Sequence, residues 1–174
     1  ISIDGAVTVS DKAHLIGRAN RGVENTGIFL VGSMSIENDA MVSAFAMYGS
    51  AGGNIKGFDA LNANIEVNGK LIVESGNAGD KRYGSGIFLR NSNLKVLGTG
   101  SVEARAGNPG STSGYGVYGV KTSNGGSITI DGGGFLASGG SGAIYPYDTP
   151  VTITAPPVYY EISENKDGSN PTIY

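Results

Sequence analysis

The chain of 174 residues contains no cysteine. A disulfide framework and a thiolate metal site are therefore both excluded. Histidine is nearly absent, with His14 the only one, so a zinc centre lacks its usual ligands. Charge is sparse, at 16% of residues, and the formal net charge is −3. Nothing here has the basic footprint of a nucleic-acid binder. Apolar residues come in short runs split by Gly, Asn, Ser and Asp, so no transmembrane segment is expected. No amphipathic helical pattern of useful length occurs either. The chain begins at Ile1, with no initiator Met and no signal peptide, and reads as a mature or trimmed piece of a longer protein.

Glycine is what the chain has in excess: 30 residues, more than twice the usual share of about 7%. Many are periodic. Gly27-Ile28-Phe29, Gly57-Phe58-Asp59, Gly86-Ile87-Phe88, Gly116-Val117-Tyr118 and Gly142-Ala143-Ile144 follow one another at intervals of 30, 29, 30 and 26 residues. A fixed period in this range marks a solenoid. A second signature follows each glycine. Ile1 to Val9 aligns without a gap on Ile65 to Val73, and Leu94 to Gly98 and Ile128 to Gly132 repeat its first half. Ile-x-Ile and Val-x-Val alternation is that of half-buried strands. The Asp-Gly and Asn-Gly pairs between them suit tight corners. The pattern predicts an all-β, single-stranded parallel β-helix, with about five to six coils of about 30 residues and three short strands each. It covers residues 1–155. Pro150, Pro156 and Pro157 interrupt it, so 156–174 is expected to be a C-terminal cap or a linker to a following module.

The alignment also assigns faces. Ile28, Phe58, Ile87, Val117 and Ala143 follow the glycine, are uniformly apolar and are expected inside. Next come Phe29, Asp59, Phe88, Tyr118 and Ile144. A carboxylate is costly to bury unpaired, so Asp59 places that row in solvent. Asn62 and Asn91, and Asn64 and Asn93, fall at matching positions and are expected to hydrogen-bond from coil to coil. Insertions gather at one phase of the repeat, at Ser10 to Thr26, Met47 to Lys56, Glu74 to Ser85, Arg105 to Tyr115 and Ser138 to Ser141. Such an edge often binds ligands. It carries Lys12, His14, Arg18, Arg21, Tyr48, Asp80, Lys81, Arg82, Tyr83 and Tyr115.

Strings such as Gly86-Ile87-Phe88-Leu89-Arg90-Asn91-Ser92-Asn93-Leu94-Lys95-Val96 resemble secreted bacterial parallel β-helix proteins. More narrowly, they resemble the carbohydrate-binding-like β-helix domains of surface proteins from Gram-positive anaerobes. The resemblance implies a right-handed helix, an extracellular or cell-surface bacterial location, and polysaccharide or host-glycan partners. Some members of that group bind acidic or plant-cell-wall polysaccharides, sometimes with calcium. The clustered aspartates that would carry calcium across are absent here, so no cofactor is expected.

Catalysis finds little support in the residues. Glycoside hydrolysis usually needs two carboxylates about the bond, yet no Asp-Asp pair occurs, and no Gly-His-Gly. The glycine-rich stretches lack a following phosphate-cradling lysine. The expected function is a non-catalytic extracellular module binding polysaccharide through the outward row and nearby loops: Phe29, Asp59, Phe88, Arg90, Tyr118, Arg82, Tyr83 and Tyr115, with Lys121 at the rim. On that row Phe29 and Phe88 lie about 10 Å apart, roughly two hexoses. The alternatives are an adhesin or stalk whose ladder only stacks on itself, and a pectin-active lyase or hydrolase.

Overall fold

A computed structural model describes residues 1–20, 24–47, 53–78, 83–108 and 116–146, with the backbone of 159–162. The chain forms an all-β parallel solenoid of about 4 turns of roughly 30 residues, with no helix. The expectation of five to six coils counted the partial first coil and the strands beyond the last full turn. The strands are β1 (Ser2–Val9), β2 (His14–Ala19), β3 (Asn25–Ile36), β4 (Met41–Ala46), β5 (Ile55–Val67), β6 (Lys70–Ser75), β7 (Gly84–Arg90), β8 (Asn93–Ala106), β9 (Val117–Ser123), β10 (Ser127–Ser138), β11 (Gly142–Pro146) and β12 (Tyr159–Ile162).

Each coil has three faces. Face 1 stacks the first half of β3 and of β5, then β7, β9 and β11. Face 2 stacks the second half of β1, of β3 and of β5, followed by the first halves of β8 and β10. Face 3 stacks β2, β4, β6, the second halves of β8 and β10, and β12. Every pairing is parallel, so one coil above supplies each strand's hydrogen-bond partner. The core lies along the axis. Ile28, Phe58, Ile87 and Val120 form one column, and Met34, Ile65, Leu94 and Ile128 another, all at most 1% exposed. Each such side chain stabilises the stack by about 1.5–3 kcal/mol.

The repeat glycine is needed for room. In β5, Ile55 and Phe58 are both buried, although a regular strand would put them on opposite faces. Gly57 lies between them where the chain turns onto face 1. A Cβ on Gly27 would meet the Gly57 carbonyl and the Phe45 backbone at 2.7–2.8 Å, and one on Gly86 would meet the Gly119 oxygen at 2.6 Å. No side chain fits there.

The fourth of these glycines is Gly119 and not Gly116. Ser85 pairs with Tyr118 and Ile87 with Val120, so the row expected from sequence is displaced by three residues in this coil. Val117 and Ala143 are buried, but Val117 stands opposite Gly84, three positions before the assigned row, and Ala143 one position before it, while Ile144, expected outside, joins the inward column of Val120. Ile1 to Val9 also shifts. Gly5 pairs with Gly32 and Val7 with Met34, which stacks on Ile65. The Asp4-Gly5 corner therefore joins faces 1 and 2, whereas Asn68-Gly69 joins faces 2 and 3. Both corners use the same residue chemistry, which is why the segments align by sequence.

The asparagine ladders form as expected. Asn62 and Asn91 both adopt positive φ, 50° and 47°, at the corner between faces 1 and 2. The Asn91 amide donates to Asn62 Oδ1 at 2.8 Å, and that of Asn93 to Asn64 Oδ1 at 2.9 Å. His14 is not in a loop. It opens β2, with Nε2 2.8 Å from Ser43 Oγ.

The packing at the corner glycines can be tested directly. Gly27→Ala should cost about 1–3 kcal/mol, the usual range for overpacking, in a denaturant titration. Gly134→Ala, whose Cβ would meet nothing closer than 3.8 Å, should change stability little.

Candidate functional site

The outward row of face 1 runs Phe29, Asp59, Phe88, Lys121 and Tyr145 from coil to coil. Tyr118 is not part of it. It pairs with Gly142 and Ser85, and its ring reaches over to stack on Tyr145, with centroids 4.5 Å apart and planes 17° apart.

Asp59 points away from the core, yet it is only 3% exposed. The expectation that its row faces open solvent is corrected. The carboxylate is covered by two long side chains. Arg90 grips it in a two-point contact, Nε to Oδ1 at 3.0 Å and Nη2 to Oδ2 at 2.9 Å. Lys56, three residues before Asp59, reaches Oδ2 at 2.6 Å. Burial is tolerated because the charge is paired, the condition that the sequence argument left out.

The same cations cover the rings. Arg90 lies 6.0 Å from the Phe29 centroid and 5.5 Å from that of Phe88. It fills the interval between the two phenylalanines that the alignment left open for sugar. Lys56 approaches Phe88 at 5.5 Å and Lys121 at 5.2 Å, so three cations sit at one ring. Lys121 also lies 4.3 Å from the ring of Tyr83 and 5.8 Å from that of Tyr145. Tyr83, on the edge of the stripe, is 42% exposed. Cation–π contacts of this kind contribute about 0.5–2 kcal/mol each.

Burial lowers the Lys121 pKa, and repulsion from Lys56 adds to it. The rings attract the ammonium but do not offset its lost hydration. The Tyr118 hydroxyl shifts up, through burial first and then the neighbouring Tyr145 and Tyr83.

Of the residues picked from sequence, Phe29, Asp59, Phe88, Arg90 and Tyr83 meet in this stripe and Tyr118 adjoins it. Lys121, placed at the rim, is in the row itself. Arg82 and Tyr115 lie outside the described residues, as do Arg21, Tyr48, Asp80 and Lys81. Arg18 stands on face 3, over Phe45 at 5.4 Å. Lys12 is in the turn between β1 and β2, also away from the stripe. Lys56 and Tyr145 were missed. Lys56 had a usable signal, a base next to the corner glycine and within reach of Asp59. Among the described residues no group of acidic and histidine side chains could hold a metal ion. Comparison with protein-family models, with curated proteins and with solved structures finds no match.

Two measurements follow from this geometry. Asp59→Ala leaves Lys56 and Arg90 without their shared carboxylate. It should destabilise by about 2 kcal/mol in urea, less than the ~3–5 kcal/mol of a fully buried pair because both cations keep some water. Lys121 predicts a pH effect. Its folded pKa lies below the unfolded value of about 10.4, so between the two the unfolded chain binds more protons. Stability should rise as pH increases through that window, and Lys121→Gln should remove this increment from the denaturation profile.

Proposed function

We propose that the chain is a non-catalytic extracellular or cell-surface module that binds polysaccharide along the face-1 stripe, and acidic polysaccharide in preference to neutral. One observation carries this reading. Lys56 and Arg90 share a single carboxylate beside Phe88, a local excess of positive charge in a protein whose net charge is −3. Sugar rings stack their C–H faces on aromatic rings, and uronate carboxylates suit guanidinium and ammonium donors. Arg90 uses Nε and Nη2 on Asp59, which leaves its other terminal nitrogen to face a ligand. Strand spacing repeats these groups about every 4.8 Å, so a chain-like ligand meets several in turn.

Both carboxylate oxygens of Asp59 are engaged by Lys56 and Arg90 and are not presented to a glycosidic bond, which favours binding over hydrolysis. A second reading, a stalk-like scaffold, is favoured by the same contacts taken alone. Arg90 closes the Phe29–Phe88 interval, so the stripe also stabilises itself.

Affinity electrophoresis separates the readings. Polygalacturonate in the gel should retard the protein more than a neutral glucan does, and added salt should weaken the effect. Lys121→Gln and Tyr83→Ala should each reduce the affinity about tenfold, or ~1.4 kcal/mol, with Tyr83→Ala still folded and losing no more than about 0.5–2 kcal/mol from its contact with Lys121. No retardation in any gel would favour the scaffold. Release of unsaturated or reducing sugar would favour an enzyme.

A further inference from the structure

A second concave site lies away from the stripe, at the corner between faces 2 and 3. The pairing register explains it. Ile36, Val67 and Val96 stack in one column, and Met41, Lys70 and Ser101 in the next. Two coils cross between these columns with four residues, Glu37-Asn38-Asp39-Ala40 and Leu97-Gly98-Thr99-Gly100. The coil between them crosses with two, Asn68-Gly69. Its corner is therefore recessed between two projecting turns. The recess has a volume of about 340 Å³, at the small end of ligand sites.

The recess is held in place by close packing. Asn68 and Gly69 donate their backbone N–H groups to the Ile36 carbonyl at 2.8 and 2.9 Å, and Ser101 donates to the Gly69 carbonyl at 2.8 Å. A Cβ on Gly69 would fall 2.2 Å from the Glu37 oxygen and 2.4 Å from that of Ala40. The floor is thus pinned beneath the neighbouring turn, and only glycine fits.

The lining mixes apolar surface from Ala40 and Met41 with six polar side chains. Asn38 and Asp39 form one wall, Asn68 and Lys70 the floor, and Thr99 and Ser101 the other wall. Among the described residues, none of these six side chains makes a hydrogen bond or ion pair within the protein. That contrasts with the stripe, where Asp59 is saturated by its neighbours. No aromatic ring lines the recess, so stacking is not its mode of recognition. Carboxylate, ammonium, amides and hydroxyls together offer donors and acceptors in a space about two strand spacings wide, roughly 9–10 Å.

We infer that this recess binds one neutral, hydroxyl-rich unit, a single sugar residue held edge-on, with Asp39 accepting from and Lys70 donating to its neighbouring hydroxyls. It does not depend on the stripe binding anything.

The test is a titration of the isotopically labelled protein, followed by amide NMR, with glucose, galactose, mannose, arabinose and xylotetraose. At least one probe should shift the amides of Asn68, Gly69, Lys70 and Ser101. Asp39→Asn, a residue type tolerant of the positive φ of 64° at this position, and Lys70→Gln should each weaken that binding about tenfold. Lengthening the Asn68-Gly69 crossing by two residues, to match its neighbours, should abolish it. Lys121→Gln should leave it unchanged while still weakening acidic-polysaccharide binding. Shifts confined to the stripe, no shift with any probe, or wild-type affinity in both recess variants would overturn the inference.

Discussion

The constraint on which the rest of the structure depends is the close approach of backbone to backbone at Gly27, Gly57, Gly86 and Gly119. At each, the chain turns from face 3 onto face 1 with less than the space of a methyl group between strands. That narrows the corner, draws Ile28, Phe58, Ile87 and Val120 onto one another and sets which neighbouring residues point outward. A coil cannot bury its inner face alone, so the corners also hold the coils in register with each other. Once that register is set, each outward residue has fixed neighbours above and below. The interactions on face 1 are consequences of those neighbours.

Asp59 shows how far this goes. A carboxylate between two phenylalanine rungs would be an unfavourable choice if the coils were independent. In the stack, Arg90 projects back from the next coil and Lys56 comes from the same strand, and the charge is paired on both sides. A pair of this kind adds little net stability over a well-packed apolar group, because desolvation offsets much of the attraction. Its physical effect is to hold the cations in place beside the rings. A row of alternating rings and immobilised charges has lost much of its side-chain entropy before any ligand arrives, which favours binding over a mobile surface.

The sequence pattern locates the coils well and assigns individual rungs less well, for identifiable reasons. Gly57 to Gly69 and Gly86 to Gly98 align without a gap because the two coils match through face 1, the first corner and face 2, and the inward and outward positions read from them are correct. The next coil carries extra residues before its corner. There Gly116-Val117-Tyr118 resembles the repeat better than Gly119-Val120-Lys121, since the true third position holds a lysine in place of an aromatic. Room at the corner decides between them, and spacing alone does not report room. Ile1 to Val9 fails differently: Asp-Gly and Asn-Gly serve two different corners, so a gap-free match can join unlike parts of the coil. The burial of Asp59 was invisible because its partner Arg90 is 31 residues away and becomes adjacent only after stacking.

Length differences between coils are also where this fold makes shapes that the repeat does not. On the edge between faces 3 and 1, the coils differ in the number of residues they insert, and Tyr83 at the end of one insertion lies beside the outer row. On the corner between faces 2 and 3, the crossing at Asn68-Gly69 is shortened and leaves a recess. The two changes have opposite sign and lie on different corners, and neither alters the inward columns, because the register of Val67 with Val96 and of Lys70 with Ser101 is kept on both sides. A parallel solenoid can therefore vary its corners one coil at a time with no loss of core. The physical cost falls only on the few backbone groups at the corner, and here those are satisfied by the Ile36 carbonyl. The recess is thus a feature that the core neither requires nor resists, and the identity of its six polar side chains can be set by something other than folding.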